Sequence, residues 1–265
     1  GRFRMMDWAD FSGTLTQGGT ILGTSRTPFK LLDVPEADGV NKVEAMKHTY
    51  HKLKLDCLFM LGGNGSTKTA NRLSQEGLNV IALPKTIDND TWGTDMTFGF
   101  PSAVEVATKC IDDIHTTVEA IEQREKDGGR FAIVVVAEGA ISKEEAAMPK
   151  KAYKRKVAER VKPSVAYDIA EEIARRTGRE VRVAVPGHTQ RGGAPDAQDR
   201  IFATQCGVEA AQGCLEHEYG FMVAQRAGRM CRVPLSEVAG KLKYVDPKSD
   251  LVREAKALGI SFGDE

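Results

Sequence analysis

The run Lys85-Thr86-Ile87-Asp88-Asn89-Asp90 gathers an ammonium, a hydroxyl and two carboxylates on one short stretch of chain. A carboxylate beside an alcohol can take its proton as that oxygen attacks phosphorus, while a lysine at the same place neutralises charge on the phosphates. The same spelling also suits a chain of Asx turns that binds nothing. Three glycine-rich segments accompany it. Leu61-Gly62-Gly63-Asn64-Gly65-Ser66 could let backbone N–H groups approach a phosphate at a helix start, or be an ordinary glycine turn. It is neither a Walker A loop, since no glycine precedes Lys68-Thr69, nor a GxGxxG fingerprint. Gly187-His188-Thr189-Gln190-Arg191-Gly192-Gly193, with Arg182 before it, supplies cationic donors suited to bidentate phosphate binding, though an Arg-Gly-Gly turn is common. Gly18 to Arg26 is a further glycine-rich segment ending in a cation.

The elements that must hold these loops follow from apolar spacing. Val43, Met46, Tyr50 and Leu53 predict a helix, and 56–61 is a buried strand stopped by Gly62-Gly63. A helix over 66–75 ends at Gly77, and a strand over 78–83 ends at Pro84. Both candidate loops thus leave the carboxyl ends of strands, where ligands bind in open α/β sheets. Val104, Ala107, Ile111, Ile114, Val118 and Ile121 predict one long amphipathic helix, followed by a strand over 131–137. The charged stretch 143–162 reads as a solvated helix or loop. Val165, Ile169 and Ile173 stripe a helix ended by Gly178; then come a strand over 181–185, a loop over 186–195 and a helix over about 198–211. Two short strands around Gly228 and two short helices, 235–242 and 250–258, complete the pattern. Alternation of this kind predicts parallel α/β units.

At 265 residues the chain holds one large or two small domains, on a soft rule of about 150 residues each. Equal numbers of basic and acidic residues, 37 and 37, argue against a general nucleic-acid or membrane-surface binder, so any anion site is local. No apolar run approaches the roughly 20 residues of a bilayer span, and the expectation is a cytoplasmic protein. Five cysteines without CxxC spacing read as buried free thiols, and His48 with His51 as solvated.

In order, GGTxLGTSR from Gly18, GGxGS from Gly62, PKTIDND from Pro84, a strand followed by Glu138, and GHxQRGG from Gly187 resemble the phosphofructokinase family, from about Gly18 onward with one interruption. NAD kinases and lipid kinases share a similar glycine loop but lack the last pair of motifs. The resemblance implies an α/β fold of two Rossmann-like lobes with mostly parallel sheets: a phosphoryl-donor lobe, 1–101 plus 191–243, and a sugar-phosphate lobe, 102–190 plus 244–265. It implies transfer of the terminal phosphoryl of ATP to the 1-hydroxyl of fructose 6-phosphate, a glycolytic step. Asp88 would be the general base, with Asp90, Thr86 and Lys85 around the reacting groups. Arg26, Gly62, Gly63, Asn64, Gly65 and Ser66 would lie along the donor; Arg182, His188 and Arg191 would hold the sugar phosphate, and Glu138 the sugar hydroxyls. Mg²⁺ is the implied cofactor, and a homo-oligomer the implied assembly, its sugar-phosphate site shared between subunits.

Departures from the family pattern qualify these expectations. The family usually has aspartate where Asn64 stands, and a neutral amide is a weaker ligand for a hard cation, so an altered Mg²⁺ requirement is expected. Gly65 goes with ATP in this family whereas Lys85 is typical of pyrophosphate users; Gly65 leaves room for an α-phosphate, which ranks ATP ahead of pyrophosphate. The family's amino-terminal GGDxPGxN loop does not appear, nor do about fifty residues between Ala120 and Ile121. Such losses would take a strand from each of two sheets, expose apolar edges and impair turnover. The rival readings are a non-catalytic relative that binds sugar phosphate and a kinase acting on another phosphorylated ketose.

Overall fold

A computed structural model of the chain describes residues 3–24, 27–36, 39–122 and 132–262. It divides into two compact units, 1–105 with 191–265, and 106–190.

The first unit is built on a sheet of order β1-β2-β3-β4, formed by β1 (Leu58–Gly62), β2 (Val80–Pro84), β3 (Phe221–Arg226) and β4 (Arg229–Pro234). β1, β2 and β3 run parallel and β4 returns antiparallel, a mostly parallel α/β sheet. β2 is buried along its whole length, as expected of a central strand with both faces covered. Its alternate residues serve two cores: Val80 and Ala82 join Ala70, Leu73, Met222 and Val238, while Ile81 and Leu83 join Phe202, Cys206 and Phe221. The first core packs under α1 (Lys42–Lys52), α2 (Asn64–Gln75) and the short α8 (Leu235–Val238); the second packs under α7 (Ala197–Leu215). β1 and β4 are the two edge strands of this order, and β1 leaves Phe59 and Leu61 exposed. Ala227 and Gly228, at φ +49° and +75°, make the two-residue turn that joins β3 to β4.

The helix α3 (Phe100–Glu122) begins in the first unit, where buried Asp199 of α7 accepts hydrogen bonds from the Gly99 and Ser102 N–H groups. The tail carries α9 (Asp250–Ala257). Residues 244–265, expected with the sugar-phosphate lobe, group with the first unit, to which the preceding Lys243 is bonded through Asp90.

The second unit contains α4 (Lys143–Ala146), α5 (Lys150–Ala158) and α6 (Val165–Thr177). Gly178 ends α6 as expected, at φ +69°, and at its start the Ser164 hydroxyl accepts from Ala166 N–H. The strands expected over 131–137 and 181–185 are not formed: Phe131 lies outside the described residues, and 132–137 and 181–185 carry no ladder. Apolar, β-branched composition favours a strand only where another strand supplies hydrogen bonds, and among the described residues these segments have none. Val134, Val135 and Val185 are accordingly exposed.

Candidate active site

The two loops singled out by spelling leave adjacent strands at the same end. Gly62 of β1 pairs with Pro84 of β2, and Lys85 N–H extends that pairing to the Gly62 carbonyl at 3.0 Å. The first loop is reduced to Gly63 alone before α2 starts. The first bond of that helix is Thr67 N–H to Gly63 O, so the N–H groups of Asn64, Gly65 and Ser66 precede the ladder, as in helix-start anion sites. Close approach explains two of the glycines. A Cβ at position 62 would lie 2.1 Å from Ser66 Oγ, and one at position 63 would lie 3.2 Å from Thr86 Cβ. Gly65 faces open space.

The second loop is braced around its carboxylates. Thr86 Oγ1 donates to Asp88 Oδ2 at 3.1 Å and accepts from Asp88 N–H at 3.2 Å. The exposed Asp88 is thus oriented through one oxygen, leaving Oδ1 as an acceptor. Asp90 is half-buried, and its Oδ2 accepts from Asn64 Nδ2 at 2.7 Å, which ties the acidic loop to the helix start. Lys85 is exposed at the mouth of the same loop. Helix start, hydroxyl and carboxylates therefore converge as the spacing requires.

Asn89 and Lys243 were not singled out by the sequence. Asn89, between the two aspartates, takes φ +49°; its side-chain oxygen accepts from Thr97 N–H at 3.1 Å and from Lys243 Nζ at 2.8 Å. Burial holds the Lys243 ammonium below the usual lysine range, against the opposing pull of Asp95 and Asp90. The asparagine in an Asp-Asn-Asp run was a usable signal for a left-handed residue. Lys243, in a lysine-rich tail, had none.

The sugar-phosphate candidates are divided between the two units. Arg191 is exposed and belongs to the first unit, where Gly193 passes so close to Gly18 that a Cβ on Gly18 would sit 1.8 Å from the Gly193 carbonyl oxygen. Two of the glycine-rich segments meet there. Glu138, Arg182 and His188 lie in the second unit, all exposed, with Arg182 Nε 2.9 Å from Glu180 Oε1. Arg26 is outside the described residues. A cavity of about 960 Å³ within the second unit is lined by none of these residues. Its floor is Ile141, Val165, Ile169 and Ile173, and its cations Lys156, Arg160, Lys162 and Arg176 are all paired with carboxylates, so it presents no net anion site.

Among the described residues no three His, Cys, Asp or Glu side chains cluster for a metal, and at Asp90 the neighbour is an amide N–H donor where a cation would need another oxygen.

A glycine-opened helix start against an acidic loop, at the carboxyl ends of neighbouring parallel strands, defines the ligand end of an open α/β protein. A sequence model of the family described as phosphofructokinase matches residues 1–124 and 117–214. The chain belongs to the phosphofructokinase family. It is 45% identical to the ATP-dependent 6-phosphofructokinase of Spirochaeta thermophila, covering 100% of this chain and 85% of that protein. It is 36% identical to the ATP-dependent 6-phosphofructokinase of Propionibacterium freudenreichii, covering 99% and 87%. The solved phosphofructokinase of Pichia pastoris in the T-state matches with a TM-score of 0.66 and 25% identity, over 88% of this chain and 31% of that longer one. The Spirochaeta alignment runs over 313 positions against 265 residues here, so at least 48 positions of that relative have no counterpart. The two family matches overlap at 117–124, where the sequence placed the missing segment.

Proposed function

We propose that this chain is a 6-phosphofructokinase, transferring the terminal phosphoryl of ATP to the 1-hydroxyl of fructose 6-phosphate in the cytoplasm. The observation that carries the reading is the meeting of Gly63 with Thr86 and of Asn64 with Asp90, which sets an anion-binding helix start beside an oriented carboxylate. Asp88, held through Oδ2 by Thr86, accepts the sugar hydroxyl's proton at Oδ1 as that oxygen attacks in line, and Lys85 offsets charge on the transferring group. The N–H groups of Asn64, Gly65 and Ser66 receive donor phosphate. Bound with ATP, Mg²⁺ would neutralise charge on the donor phosphates. Arg182, His188 and Arg191 bind the 6-phosphate and Glu138 the sugar hydroxyls, within a homo-oligomer whose subunits share that site.

ATP is ranked over pyrophosphate because the space at Gly65 is open and both relatives named above are ATP-dependent by name. Lys85 keeps pyrophosphate as the second reading. Initial rates with each donor separate them: faster turnover with pyrophosphate reverses the ranking. Asp88→Ala is expected to lower turnover by about 10²- to 10⁴-fold. Unchanged turnover removes Asp88 from the mechanism. Fructose 6-phosphate binding by calorimetry with no phosphorylated product from either donor favours the non-catalytic relative.

A further inference from the structure

Lys243 enters the loop of Asp88 and Asp90 from far along the chain. Its Nζ donates to Asn89 Oδ1 at 2.8 Å, to the Thr94 carbonyl at 3.0 Å and to the Asp95 carbonyl at 2.8 Å. Its backbone N–H adds a fourth bond, to the Asp90 carbonyl at 2.8 Å, and Leu242 beside it bridges Thr91. An ammonium has three protons, and three acceptors of one loop take them. None of the three is a carboxylate, so the arrangement fixes a shape rather than pairing a charge. The Asn89 oxygen so engaged also receives Thr97 N–H, and Thr97 Oγ1 donates to the Thr86 carbonyl at 2.8 Å. Thr86 is the residue that orients Asp88.

We propose that Lys243 is a positioning residue for the reaction: by drawing Asn89, Thr94 and Asp95 onto one ammonium it sets the loop through Thr97 and Thr86, and so the direction of Asp88. The inference rests on the reading of Asp88 as base, and the test separates the two. In the full chain, Lys243→Met is expected to lower kcat by about 10- to 100-fold, the scale of a misplacement of about 1 Å, with KM for both substrates within about twofold. Lys243→Arg, which keeps the charge and several donors, is expected to recover most of that loss. Amide hydrogen exchange reads the loop without turnover: Lys243→Met is expected to speed exchange at Thr97 N–H by about tenfold or more while Val80–Leu83 stay protected.

Unchanged exchange at Thr97 overturns the proposal whether or not the protein turns over. Faster exchange with unchanged kcat overturns it as well. Faster exchange in a protein whose wild type shows no kinase turnover upholds the bracing of the loop and overturns the kinase reading instead. Should Lys243→Met lose protection in β2 too, Lys243→Gln, with a shorter side chain that keeps an N–H donor, is judged by the same two measurements.

Discussion

β2 and the segment 132–137 are made of the same kind of residue and end in opposite states. Val80-Ile81-Ala82-Leu83 lies between β1 and β3 with a helical layer on either face; Ile133-Val134-Val135 has no strand beside it among the described residues and is open to solvent. The contrast teaches that an apolar run specifies burial only jointly with its neighbours in the sheet, and among its described residues the second unit supplies none. The break between the two family matches, at 117–124, just precedes this segment.

Three measurements break or sharpen that contrast. Amide exchange has the largest expected effect: Ile81 and Ala82 N–H should exchange about four orders of magnitude more slowly than Val134 and Val135, and similar rates would show that the second unit finds partners in solution. Next, Ile81→Ala should cost about 2–5 kcal/mol in urea unfolding through lost burial and a residual cavity, whereas Val135→Ala should stay within about 0.5 kcal/mol. A cost at Val135 equal to that at Ile81 would mean that it is buried in the protein as it exists. The smallest effect belongs to a feature that the second unit has kept: Ser164→Ala removes the α6 cap and should cost about 1 kcal/mol, read as lost helical ellipticity on heating. No change would place α6 among elements held wholly by packing.

Much of the first unit was legible. Strand and helix periodicities gave β1, β2, α1 and α2 to within two or so residues, and Gly228 marked the hairpin because only a left-handed pair closes a two-residue turn. The meeting of the two loops followed from their places at the carboxyl ends of parallel strands. What was not legible depended on distance along the chain. Lys243 is 154 residues from its acceptor Asn89, and Asp199 is 100 from Gly99, so no local pattern announces either contact. The strands over 131–137 and 181–185 failed for the same reason in reverse, because their spelling was correct but depended on pairing that local sequence does not report. The tail 244–265 groups with the first unit, and the Lys243 tether that joins it there carries no local signature.

Among the described residues the sheet stops at β1, whose outward rim pairs with no further strand next to exposed Phe59 and Leu61. Such a rim is a template: a foreign extended segment can dock on it and continue the ladder, which makes crowded preparations prone to ribbon-like precipitation. A lysine in place of Phe59 would act as a gatekeeper there, at little cost to a position already facing water.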